Sequence, residues 1–72
     1  MGKQEKLEQR IRNNLINVSL EDFEALIKVY GYIEPGSKHP KAIIGQFTLP
    51  YKRENPIKPA YIKHLLQIIY HL

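Results

Sequence analysis

The spacing of apolar residues changes at Gly31, and that change limits the folds open to this chain. Before it, Leu20, Phe23, Leu26, Ile27 and Tyr30 recur at helical spacing, the pattern of a helix that buries one face. After it the runs are short: Tyr32-Ile33, then Lys38 to Ile44 in rough alternation, then Phe47-Thr48-Leu49. Pro35-Gly36 and Gly45 stand between them as turn residues, which reads as a three-stranded antiparallel meander. Helical spacing returns after Pro59 with Ile62, Leu65, Leu66, Ile69 and Leu72 as the expected buried face. With 72 residues there is room for one domain, so strands and helices must share a core, and the class is α+β.

Local signals refine this order. From about Lys3 to Asn14, charged residues surround Leu7, Ile11 and Leu15 at four-residue spacing, a narrow apolar stripe expected to cover core that is otherwise exposed. Asn13-Asn14 and Asn17 favour a turn. Ser19 reads as an N-cap with Asp22 as its capping-box partner, and Val18 is spaced to staple against Phe23. Gly31 is expected as a left-handed helix stop. Pro40 would remove a ladder hydrogen bond, so the second strand should pair only after it, and the third should stop at Pro50. Residues 51–58 read as a basic loop. The expectation is a single domain, 1–72, with a helical extension over 1–18 and the core over 19–72.

Composition excludes several functions. There is no cysteine, which removes a disulfide framework and thiolate metal sites, argues against a small secreted scaffold and fits a reducing cytoplasm. The apolar run near the end, broken by Gln67 and His71, is too short to span a bilayer. Met1-Gly2 begins like a myristoylation site, but Lys6 stands where Ser or Thr is needed, so no membrane association is expected. Charge is uneven along the chain. Residues 1–34 carry five basic and six acidic side chains, whereas the remainder carries Lys38, Lys41, Lys52, Arg53, Lys58 and Lys63 against Glu54 alone. A basic half of this kind suits a polyanion such as RNA, although a solvated basic surface has the same signature.

Gly36-Ser37-Lys38-His39-Pro40-Lys41 is the most distinctive stretch. If it enters a strand, Ser37, His39 and Lys41 share one face. Cutting RNA without a metal requires a base for the ribose 2′-hydroxyl proton and cations for the charge that builds on phosphate oxygens. Imidazole, which titrates near neutrality, is suited to the first task and lysine to the second. The residues alone leave open whether His39 is a general base or an ordinary surface histidine.

The motif and its surroundings resemble the HicA (YcfA-like) toxin family. The likeness runs over residues 20–69: a helix ending in Gly31-Tyr32, Gly-Ser-x-His-x-Lys at Gly36 to Lys41, a strand ending in Leu49-Pro50, and Ile57-Lys58-Pro59 before the last helix. It implies a double-stranded-RNA-binding-domain-like fold and the toxin role of a type II toxin-antitoxin system, a ribosome-independent, metal-independent endoribonuclease on mRNA, held in check by a HicB-like antitoxin. It implies His39 as the catalytic residue, Gly36 and Ser37 as shaping the turn before it at the RNA site, Lys41 as a phosphate contact, and no cofactor; Lys38, Lys52, Arg53 and Lys58 are added as RNA contacts from the basic charge of this half. Three features depart from the family: Pro40 in place of an ordinary strand residue, a short hairpin between Ile44 and Phe47, and the additional N-terminal helix.

Other groupings carry less. His64 and His71 fall near one face of the last helix but lack carboxylate or thiolate neighbours, so no metal is expected. Tyr51-Lys52-Arg53 joins an aromatic ring to cations, as RNA-tracking surfaces do. The rival functions are a non-catalytic RNA-binding module of the same fold and an interaction protein whose apolar helices dock on a partner.

Overall fold

The computed structural model describes residues 3–36 and 38–72. Its elements run α1 (Lys3–Asn13), α2 (Leu20–Tyr30), β1 (Tyr32–Glu34), β2 (Lys41–Ile44), β3 (Phe47–Pro50) and α3 (Pro59–Tyr70). The class is α+β, with a three-stranded antiparallel sheet in the order β1-β2-β3.

Helix α2 begins as its sequence requires. Ser19 has an extended backbone and its Oγ accepts a hydrogen bond from the Asp22 N–H at 3.1 Å. The reciprocal half of the capping box is not made, because the Asp22 carboxylate is taken by Arg10 of α1 at 3.1 Å. Val18 and Phe23 are both buried, as a hydrophobic staple needs.

The end of α2 differs from the expectation. Gly31 caps the helix by donating its N–H to the Ile27 carbonyl at 2.8 Å, but its φ of −166° is extended, not left-handed. Space is what demands glycine here: a Cβ at this position would lie 1.9 Å from the Ile43 carbonyl oxygen of β2. The chain therefore leaves the helix directly against the backbone of the central strand, which fixes Tyr32 opposite Ile43.

The β2–β3 connection is a two-residue turn, Gly45-Gln46, in which only Gly45 has positive φ (61°), the pattern of a II′ hairpin. Beyond the far end of the ladder the Tyr51 N–H donates to the Pro40 carbonyl at 3.1 Å. Hydrogen-bonding pairs alternate along an antiparallel ladder, so Lys41 and Pro50, opposite one another in the next pair, direct no backbone bonds at each other. The Pro50 nitrogen therefore faces the open edge, where a missing N–H leaves the ladder intact.

Ala42, Ile44 and Leu49 point to the core beneath α2 and α3, meeting Phe23, Leu26 and Ile27 from one helix and Ile62, Leu65 and Ile68 from the other. On α3 the buried stripe differs from the expected one. Ile68 is buried, Leu66 and Ile69 are only partly so, and Leu72, past the last helical turn, is 61% exposed. Three-residue steps fall short of the 3.6-residue turn, so the stripe Ile62-Leu65-Ile68 runs obliquely across the helix.

Residues 51–58 are not simply a solvated basic loop. Tyr51 and Ile57 are buried, the Ile57 N–H binds the Val18 carbonyl at 2.9 Å, and the Asn55 side chain accepts from the Leu20 N–H at 3.3 Å. Helix α1 covers core with Ile11, which is buried, and with Leu7, which packs beside it; Leu15, just beyond the helix, adds to the same cluster. Polar ties hold α1 to α2: the Arg10–Asp22 pair, and the Tyr30 hydroxyl donating to a Glu8 carboxylate that also pairs with Arg12 at 3.1 Å. Among the described residues no helix is long and apolar enough to cross a membrane.

Two stability predictions follow from these contacts. Gly31→Ala is expected to cost about 3 kcal/mol or more, because backbone must shift. Gly45→Ala should cost less, about 1–3 kcal/mol, the backbone strain of a side chain at the positive-φ position of a II′ turn, since its Cβ meets nothing closer than a Leu72 methyl at 3.5 Å; urea denaturation of both variants compares them. The Tyr30 hydroxyl, with help from Arg12 and against partial burial, holds the Glu8 carboxyl below the usual glutamate range. Its stabilising effect is therefore complete above the ordinary glutamate pKa and lost as pH falls through the lower folded-state value. Glu8→Gln should thus melt earlier than wild type near neutral pH, with the difference closing well below pH ~4.

Candidate nucleic-acid interface

Residues 35–40 join β1 to β2 and contain the expected catalytic centre. The expectation that Ser37, His39 and Lys41 share a strand face is not met, since β2 starts only at Lys41 and Lys38-His39 form a bend; Ser37 lies outside the described residues. Proline is the reason. The pairing of Pro40 with Tyr51 supplies one bond of the usual two, and the other would need an N–H that Pro40 lacks. The residue before a proline is also restricted. His39 is therefore an exposed loop histidine, not a strand histidine.

Gly36 has a definite task in this loop. A Cβ there would lie 2.1 Å from the His39 carbonyl oxygen, so the loop doubles back at a distance only glycine permits. Its part in shaping the turn before His39 thus has a steric basis.

The Tyr51–Pro40 bond also draws the segment after β3 alongside the loop. Glu34, Lys41 and Pro50 form the terminal row of the sheet, all exposed, and beyond that row Lys38 and His39 on one side approach Lys52 on the other. Lys38, His39, Lys41 and Lys52 therefore gather at one end of the sheet. Glu34, in register with Lys41, offsets part of their charge. Lys58 is exposed at the N-cap of α3, next to Ile57 and its bond to Val18, and so belongs to the helical layer.

Two members of the expected Tyr51-Lys52-Arg53 surface do other work. The Tyr51 ring is buried edge-on to Phe23, centroids 5.0 Å apart, and its hydroxyl donates to Glu24 Oε2 at 2.6 Å. Burial, then the Glu24 carboxylate, pushes the phenol well above its ordinary range, so it remains a donor. Arg53 Nε lies 3.3 Å from Glu24 Oε2, and its Nη2 binds Oε1 at 3.4 Å. Glu24 was not singled out from the sequence, yet it ties the 51–53 segment to α2. The alternation Leu49 in, Pro50 out, Tyr51 in, Lys52 out, carried past Pro50, was the signal that Tyr51 faces the core.

Among the described residues no side-chain hydrogen bond or ion pair engages His39, Lys38, Lys41, Lys52 or Lys58. Their amine and imidazole groups are thus open to a ligand from solvent. His64 and His71 are exposed, and among the described residues no three His, Asp or Glu side chains gather as a metal-ligand group. Clefts lie along α1, one lined by Glu5, Glu8, Gln9, Arg12 and Tyr30 and another by Lys6, Leu7, Arg10, Asp22 and Ala25, away from the histidine loop. No protein-family model matches the chain, and no match is found among curated proteins or solved structures.

If Glu24 holds the 51–53 segment, Tyr51→Phe should cost about 1.5–3 kcal/mol, the usual worth of a hydrogen bond to a charged group. Lys52→Ala, at an exposed position, should stay within about 0.5 kcal/mol of wild type. Thermal or urea unfolding of both variants tests the pair.

Proposed function

We propose that the chain is a ribosome-independent endoribonuclease of the HicA type, a toxin that cleaves mRNA in the cytoplasm and is restrained by a HicB-like antitoxin. The observation that carries this reading is the backbone bond from Tyr51 to Pro40, which draws Lys52 toward Lys38, His39 and Lys41. The succession α2-β1-β2-β3-α3, with the helices against one sheet face, is the arrangement expected of a double-stranded-RNA-binding-domain-like core. In the reaction, the His39 imidazole takes the proton from a ribose 2′-hydroxyl, the 2′-oxygen bonds to the adjacent phosphorus to give a 2′,3′-cyclic phosphate, and the bond to the 5′-oxygen breaks, that oxygen leaving as a hydroxyl with a proton from solvent. Lys41 and Lys38 offset the charge that grows on the non-bridging oxygens. Arg53, held by Glu24, acts on RNA through its outward nitrogen positions only, and Lys58 contributes at the helical side.

A second reading, a non-catalytic RNA-binding module, is favoured by one observation. His39 lies in a loop, and among the described residues no side chain orients its ring, whereas a general base works best when held in place.

Wild type and His39→Ala, each incubated with a long unstructured RNA in excess chelator and resolved on a denaturing gel, separate the two. The nuclease reading expects cleavage by wild type and a loss of roughly 10²- to 10⁴-fold in the variant, with unchanged circular dichroism. Intact RNA with folded wild type that still retards RNA in a native gel would replace it with the binding module.

A further inference from the structure

The sheet has a face that no element of the fold covers. Helices α2 and α3 pack against one face of the sheet and α1 packs against α2, and the residues pointing to the other face are Tyr32 and Glu34 on β1, Lys41 and Ile43 on β2, and Thr48 and Pro50 on β3. Tyr32, Ile43 and Thr48 form one cross-strand row, and Glu34, Lys41 and Pro50 form the next. Of these, Tyr32 is the large aromatic, and it is 58% exposed.

We infer that Tyr32 is a stacking platform for a base of single-stranded RNA, whose backbone then runs over Lys41 toward His39. The inference rests on the RNA reading above and adds the strandedness of the substrate and a recognition residue. A flat ring on an open sheet is suited to an unstacked base, whereas the bases of a duplex are stacked on each other and offer no free face. Charge complementarity supports a nucleic-acid occupant, because Lys38, Lys41 and Lys52 rim the end of this face toward which the rows run. The two rows are two residues apart, about 7 Å along the strands, so a base on Tyr32 keeps its neighbouring phosphates within the reach of a lysine side chain. The ring's position is also set in advance. Gly31 packs against the Ile43 carbonyl where a Cβ would stand 1.9 Å away, which locks the start of β1 and keeps Tyr32 in register with Ile43.

A fluorescently labelled 2′-O-methyl oligonucleotide, which has no 2′-hydroxyl to attack and so cannot be cut, serves as the probe, as a single strand and as a blunt duplex of equal length. Binding is read by anisotropy at several salt concentrations. Wild type should bind the single strand more tightly than the duplex. Tyr32→Ala should weaken single-strand binding by roughly 5- to 150-fold, the usual range for one aromatic platform. Tyr32→Leu, which keeps an apolar β-compatible side chain, should lose a similar amount, and Tyr32→Phe should retain binding; melting curves check that each variant is folded. Lys41→Ala should reduce the salt slope by about 0.7. Wild-type and Tyr32→Ala curves that coincide, or a duplex bound as tightly as the single strand, overturn the inference while leaving cleavage by His39 untouched. Failure of wild type to bind either probe overturns the RNA reading itself and the inference with it.

Discussion

Pro40 offers a carbonyl to its neighbour and no amide, and much of the structure around the site depends on that asymmetry. The carbonyl accepts the Tyr51 N–H at 3.1 Å, which holds the segment after β3 beside the histidine loop. The absent amide ends the ladder there, so that His39 leaves the sheet. A residue with both groups would allow β2 to continue and would carry His39 onto the sheet surface. The same pairing keeps the inward and outward alternation running beyond Pro50, which turns Tyr51 under α2 and Lys52 toward solvent. One residue thus decides where the imidazole stands, where a neighbouring lysine stands, and what fills the space beneath them.

The helical side is organised around carboxylates that serve more than one partner. Glu24 accepts from the Tyr51 hydroxyl and pairs with Arg53, while Glu8 accepts from the Tyr30 hydroxyl and pairs with Arg12. Tyr51 also brings its ring against Phe23 while its oxygen meets a partly buried carboxylate, which suits a domain of this size. A chain this short buries only about 60% of the surface it exposes when unfolded. Contacts that combine ring packing with a charged hydrogen bond extend the ordered region without a larger core. Helix α1, with Ile11 inserted and two polar ties to α2, adds to that core.

Where sequence signals are local and steric, they were legible. The helix over Leu20 to Tyr30, the Ser19 cap, the turn at Gly45, the start of pairing after Pro40 and Pro59 at the first turn of α3 all correspond to what is observed, although Tyr30, spaced for the buried face, is 38% exposed. The failures share a cause, which is contact between residues far apart in the chain. Glycine at 31 reads as a left-handed cap because sequence shows no Ile43 carbonyl beside it. Asp22 reads as a capping-box partner because Arg10 is on another helix. Tyr51 reads as an exposed ring of an RNA surface because Glu24, which accepts its hydroxyl, is 27 residues away in the chain. At the site, the basic rim was legible from charge, but the removal of His39 from the strand required the consequence of Pro40 to be followed one residue further back.

Pro50 has an effect that reaches past this domain. Its nitrogen faces the open edge of β3, where an incoming strand would look for a donor, and β1 at the other edge is only three residues long. Neither border offers a continuous row of free backbone groups, so the sheet is a poor template for another extended chain. A protein that docks on this molecule is therefore expected to do so by side-chain contacts rather than by adding a strand, and edge-to-edge joining of copies is disfavoured.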